Sequence, residues 1–101
     1  MNQNEHKKEF LKMMKITFDP KKDVLNFEKH GCSLAEAEKF EWETAITWHD
    51  DRHDYNEQRM IGLGYIGDRI FCVVFVDRNN SRRIISLRKA NNKEVNRYAS
   101  T

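Results

Sequence analysis

The sequence predicts an α+β domain: a curved, mainly antiparallel sheet packed against two N-terminal helices and one C-terminal helix. Three observations lead there. A short alternating strand is followed by two helical patterns, four β-patterned runs come next, and a helical pattern closes the chain. The last three β runs are joined by the turn pairs Gly67-Asp68 and Asn79-Asn80, which suit tight hairpins. Strands and helices segregated in this way build α+β layers, and 101 residues suffice for one modest core.

Residues 1–13 are polar and read as an extension, leaving residues 14–101 as the folded domain. Ile16 and Phe18 alternate with Lys15 and Thr17 as a first strand. Pro20 suits the first turn of a helix, Val24, Leu25, Phe27 and Glu28 continue it, and Gly31 ends it. Ser33-Leu34-Ala35-Glu36 has the form of a capping box opening a second helix to about Glu41. Thr44 to Trp48 reads as a strand, followed by an acidic loop. Arg59 to Tyr65, Arg69 to Val76 and Arg82 to Arg88 should then be consecutive antiparallel strands. The run Ile70–Val76 is apolar on both faces, so it should be central and covered by helix on at least one side. A short helix over Glu94 to Tyr98 ends the chain.

The chain is 39% hydrophobic and 34% charged, so much of it is solvated surface. No apolar run approaches the ~20 residues of a membrane span, and the N-terminus lacks a signal-peptide pattern. Cytoplasmic residence and no membrane partner are the expectations. Cys32 and Cys72 lack CxxC spacing and read as small hydrophobes. His49-Asp50-Asp51-Arg52-His53-Asp54 contains metal-ligand residue types, but Arg52 sits in its middle and no i, i+4 histidine pair forms. A charged loop is the plainer reading, and neither a metal nor a cofactor is predicted.

Net charge is only +2, but it is unevenly spread. Residues 36–57 hold eight Asp/Glu against two Lys/Arg, whereas residues 78–97 hold Arg78, Arg82, Arg83, Arg88, Lys89, Lys93 and Arg97 against Glu94 alone. Separated poles can present cations to a polyanion without a large net charge.

If that polyanion is a phosphodiester to be cut without a metal, the reaction needs a base for the attacking hydroxyl, cationic donors for the phosphate and an acid for the leaving oxygen. Arg59, Arg83 and Arg88 offer bidentate, permanently charged donors, and Glu57 and His30 offer titratable groups. Strand alternation sets Arg82, Ile84, Ser86 and Arg88 on one face and Arg83 on the other, so regular periodicity does not unite Arg83 with Arg88. A bulge or edge position would be needed. Glu57 and Arg59 have a competing reading as structural ion-pair partners, and His30, next to Gly31, as a group bonding the last helix carbonyls. Lys22 and Lys29 share a helix face; they are either solvated or RNA-backbone contacts, as are Arg78 and Lys89. Ser86 reads as an orienting donor, and Trp42, Trp48 and Tyr65 as core or partner-facing residues.

Three stretches taken together resemble the BrnT family, the toxin half of bacterial toxin-antitoxin pairs. They are Phe18-Asp19 with Lys22, Asn26 and Lys29-His30-Gly31, then Tyr55-Asn56-Glu57-Gln58-Arg59, then Arg83-Ile84-Ile85-Ser86-Leu87-Arg88. Asn56 stands where the family usually has Gly, and Leu87 where it has Ala; the larger side chain either narrows a site or fills core. The resemblance implies a RelE-like fold and a ribonuclease that cuts cellular RNA to slow growth. It implies Glu57, Arg59, Arg83, Arg88 and His30 as catalytic residues, with Lys22, Lys29, Arg78, Ser86 and Lys89 on the RNA. It further implies a BrnA-like ribbon-helix-helix antitoxin, with operator DNA reached only through that complex. A toxin-like module without catalysis, acting in transcriptional regulation, and a metal-dependent nuclease are the competing readings.

Overall fold

The structure, a computed structural model, describes residues 14–52 and 56–101. The expected extension over residues 1–13 lies outside them, as do His53, Asp54 and Tyr55. Five strands form one sheet: β1 (Lys15–Phe18), β2 (Ile46–His49), β3 (Met60–Ile66), β4 (Arg69–Arg78) and β5 (Ser81–Lys89). Their spatial order is β1-β5-β4-β3-β2, antiparallel except for β1, which runs parallel to β5. Helix α1 (Pro20–His30) and a 3₁₀ helix (Leu34–Lys39) lie between β1 and β2, and helix α2 (Asn92–Ala99) follows β5. The α+β class is as predicted, and the apolar run of β4 is indeed the middle strand.

Each β4 face has its own core. Val73 and Phe75 pack with Ile84, Leu87, Leu34, Ala37 and Phe40. Cys72 and Ile70 pack on the other side with Ile61, Leu63 and Ala90, against Val95 and Tyr98 of α2. Both hairpins turn where expected, with Gly67 at φ 63° and Asn79 at φ 52°.

The second helix departs from expectation. Leu34, Ala37 and Phe40 are all buried, three residues apart, a spacing that a three-residue turn serves better than 3.6. The capping box does not form either. Ser33 Oγ accepts from Ala35 N, but the carboxylate that answers it is Asp23 of α1, which accepts from Ser33 Oγ at 3.0 Å and Leu34 N at 2.7 Å. The complete box is instead at α2, where Asn91 and Glu94 exchange side-chain-to-backbone bonds of 2.9 Å each. Gly64 is required by packing: a Cβ there would meet Phe40 Cζ at 2.7 Å.

No helix among the described residues is long and apolar enough to cross a membrane, and those residues contain no His/Cys/Asp/Glu group able to hold a metal ion. Asp50 of the acidic loop is buried and accepts two bonds from the Arg52 guanidinium, at 2.8 and 2.9 Å, and one from Arg52 N at 3.3 Å. Both cysteines are free thiols; burial pushes the Cys72 thiol up to about 11, which keeps it protonated.

Candidate active site

Asp19 caps α1 by accepting from Lys21 N at 2.9 Å, and Pro20 occupies its first turn. The helix then runs beside β5 and ends at Gly31, whose φ of 73° is the left-handed cap that glycine tolerates. Strand β1 pairs with β5 only as far as Phe18 opposite Ile84. Beyond that point the side chain of Asn26 takes the place of a neighbouring strand, donating to Leu87 O at 2.8 Å and accepting from Leu87 N at 3.1 Å. The Asn26 amide also donates to Cys32 O at 3.0 Å, tying the turn after α1 to the same point. Helix α1 is thereby fixed along the edge of β5, and Lys22, Lys29 and His30 face the gap between them.

A bulge in β5 decides which arginines share that gap. Val74 pairs with Ser86 and Phe75 with Ile84, so Ile85 is the extra residue. The insertion reverses alternation. Arg82, Ile84 and Leu87 are buried, while Arg83, Ser86 and Arg88 pair with Val76, Val74 and Cys72 on the α2 face. Arg59 joins them by alternation with Ile61, which pairs with Val74. The regular periodicity read from the sequence is corrected here: Arg83 and Arg88 do lie on one face.

They do not meet, however. At one end of the groove a cavity of about 250 Å³ is lined by Asp19, Lys22, Glu57, Arg59, Arg83 and Ile85. Next to it, sharing Lys22 and Ile85, a cavity of about 230 Å³ is lined by Leu25, Asn26, Lys29, His30 and Ser86. Lys22 and His30 are eight residues apart, so the two together extend about 12 Å along α1.

Glu57 sits between two guanidinium groups, with Arg83 bonded to one carboxylate oxygen and Arg78 to the other. The Arg78 hydrogen bonds, reinforced by the Arg83 charge, hold the Glu57 carboxyl below its usual range. Arg83 Nε is buried without a hydrogen-bond acceptor among the described residues. His30 is also lowered, by partial burial and then by the charges of Lys29 and Arg88, so its imidazole is neutral at pH 7. Its ring makes no bond to the last α1 carbonyls among the described residues; Gly31 N takes Phe27 O instead. Lys22 and Lys29 have no ion-pair partner among the described residues.

Other candidates are drawn elsewhere. Arg88 is held by Glu94 in a bidentate pair of 2.7 and 2.9 Å, which fastens α2 to β5. Lys89 pairs with Phe71, on the face opposite Arg88, and lines a second hollow with Cys32 and Glu36 that meets the groove only at His30. Arg82 lies between the Trp42 and Phe75 rings, 4.4 Å from each centroid, and grips Asp77 with bonds of 2.7 and 2.8 Å. Arg97 lies 3.7 Å over the Trp48 ring. The basic C-terminal half is therefore not one free cationic surface. A further cavity, of about 530 Å³, contains Arg82 but is rimmed by Glu38, Glu41 and Glu43, which repel phosphate. Leu87 is fully buried in the core and leaves the groove unobstructed. The role of Asn26 was not legible beforehand, although a polar residue one turn after Lys22 and one turn before His30 was the available signal.

The family model for the ribonuclease toxin BrnT of type II toxin-antitoxin systems matches residues 18–94. The chain belongs to the BrnT family. The crystal structure of the Brucella abortus ribonuclease toxin BrnT is similar, with 28% sequence identity and a TM-score of 0.61 over 78% of this chain and 99% of that one. No curated protein matches it. The BrnT match begins at Phe18, where β1 meets the α1 cap, and ends at Glu94, the partner of Arg88. It therefore includes every residue of the groove and of the clamp that holds α2. As a type II toxin the chain has an antitoxin partner.

Proposed function

We propose that this BrnT-family chain is a metal-independent endoribonuclease of the cytoplasm that cuts cellular RNA and so inhibits growth. A BrnA-like ribbon-helix-helix antitoxin neutralises it, and the two together repress their own operon, with DNA contacted through the antitoxin. The observation that carries the reading is the open cavity in which Arg59, Arg83 and Lys22 converge around Glu57. Cations gathered on one small opening suit a phosphodiester whose charge grows during cleavage.

Roles follow from protonation. Glu57 accepts from two arginines and is a weakened base, so it orients Arg83. His30, neutral at pH 7, is the better acceptor for the 2′-hydroxyl proton. The 2′ oxygen then attacks phosphorus, Arg83 and Arg59 bear the developing charge, and the bond to the 5′ oxygen breaks. Lys22, which borders both cavities, supplies the proton to that leaving oxygen. Lys29 and Ser86 hold the neighbouring nucleotide, while Arg88 raises the local positive potential at His30 from its bond to Glu94.

The test is a gel assay of the purified chain on RNA with excess chelator. Cleavage that persists, and that disappears in Arg83→Ala, supports the reading. Intact RNA from well-folded wild-type chain would leave a regulatory module without catalysis, and cleavage lost on chelation would indicate a metal-dependent nuclease.

A further inference from the structure

Helix α1 presents its apolar residues to solvent and buries an amide. Asn26 is 7% exposed, whereas Val24, Leu25 and Phe27 are 57%, 63% and 59% exposed. Helical spacing sets Phe27 and Val24 along one outward stripe and Leu25 between that stripe and the row of Lys22 and Lys29. Leu25 also borders the groove. Asp23 is turned inward to Ser33 and Leu34, so the outward face carries Lys21, Lys22 and Lys29 against Glu28 alone.

This combination selects among occupants. RNA would use the lysines and could stack a base on Phe27, but it gains nothing from the aliphatic Val24 and Leu25 beside it. A second copy of the chain would set one net-positive face against another. A polypeptide segment with apolar and acidic side chains satisfies both parts, burying the stripe and neutralising the lysine row. We propose that the exposed face of α1 is the docking surface for an apolar, acidic segment of the antitoxin, which from there covers Lys22 and Lys29 and closes the groove. The partner rests on the toxin-antitoxin reading, and the closure on the groove being the active site.

The test uses the full chain and its antitoxin, with affinity measured by calorimetry and RNA cleavage measured separately. The double variant Val24→Ser, Phe27→Ser alters solvent-exposed side chains, so its melting and its cleavage by free chain should match wild type. Its affinity for the antitoxin should fall at least tenfold. At position 24 alone, Val24→Glu should weaken binding more than Val24→Lys, because the partner segment is acidic. Unchanged affinity would overturn the proposal, and the reverse order at position 24 would overturn the partner's chemistry. If the double variant loses RNA binding while keeping antitoxin, the face belongs to substrate; if it converts a dimer of the free chain to monomer, the face belongs to a second copy. Both results overturn the proposal. Calorimetry does not depend on cleavage, so an inactive wild-type chain would refute the ribonuclease reading, and with it the closure of an active site, while the docking surface on α1 is still decided by affinity.

Discussion

Asn26 bonds both the N–H and the C=O of Leu87, 61 residues away in sequence, and so completes the edge of β5 where β1 ends. One amide thereby determines where a whole helix of groove residues sits. The bond forms two residues beyond the bulge at Ile85, where the strand changes which side chains it offers to the groove.

Asn26→Ala should strand the buried Leu87 N–H, while Leu87 O keeps the weaker bond from Cys32 Sγ at 3.0 Å. A stranded buried donor costs about 1–3 kcal/mol, and each kcal/mol lowers the melting temperature of a domain this size by about 4–8 °C. Asn26→Asp keeps the acceptor but cannot donate to Leu87 O or Cys32 O while ionised, so it should be destabilised at pH 7 and recover partly on acidification. Thermal melts at two pH values check this. Equal stability of Asn26→Ala and wild type would remove Asn26 as the anchor of α1.

Arg83→Ala and Arg59→Ala should each slow RNA cleavage by ~10²–10³, the effect of about 2.7–4 kcal/mol when one donor to a developing charge is lost. Arg83→Lys should recover only part, because an ammonium cannot span Glu57 and a phosphate with a planar fork. Glu57→Gln should cost less than Arg83→Ala if the carboxylate orients the arginine and does not take the proton. Single-turnover rates on one RNA, with circular dichroism as a check on folding, rank the variants. A larger loss in Glu57→Gln than in Arg83→Ala would make Glu57 the base.

The base can also be identified by pH. Burial and the Lys29 and Arg88 charges hold His30 below its ordinary 6.5. Cleavage by wild type should therefore be level through neutrality and fall only as pH drops through the lowered His30 value. His30→Gln should lose most activity and the limb with it. Were Glu57 the base, the limb would lie below the ordinary carboxylate value of 4.5. Stability has the same sign: His30 takes up protons more readily in the unfolded chain, so acidification below 6.5 also favours unfolding.

Local chemistry made much of this legible. The hairpins followed from Gly67-Asp68 and Asn79-Asn80, the central strand from the double-sided apolarity of Ile70–Val76, and the end of α1 from Gly31. What escaped depends on contacts between distant segments. The bulge at Ile85 is defined only by its partners on β4. The 3₁₀ winding of Leu34–Lys39 reflects the core beneath it, and the carboxylate that completes the Ser33 cap comes from Asp23 on another helix. The basic C-terminal half looked like one surface because charge counting cannot tell Arg83, which opens on the groove, from Arg82, buried between Trp42 and Phe75.

Arg88 was expected to act like Arg83, and its geometry predicts a different outcome. Glu94 accepts from both Arg88 nitrogens and from Asn91 N, so one carboxylate caps α2 and fastens it to β5. The Arg88 bonds are the main cause holding the Glu94 carboxyl below its usual 4.5. A depressed carboxyl stabilises the fold fully above its unfolded value, and that stability is lost as pH falls through the folded value. Wild type should therefore lose melting temperature below pH 4.5. Glu94→Gln should start lower, by on the order of 1 kcal/mol for a partly exposed pair, and should show a flatter acid decline. Arg88→Ala should reproduce that profile while slowing cleavage less than Arg83→Ala, since its guanidinium is committed to Glu94. Full stability in Arg88→Ala together with loss of cleavage equal to Arg83→Ala would reverse the assignment and put Arg88 on the substrate.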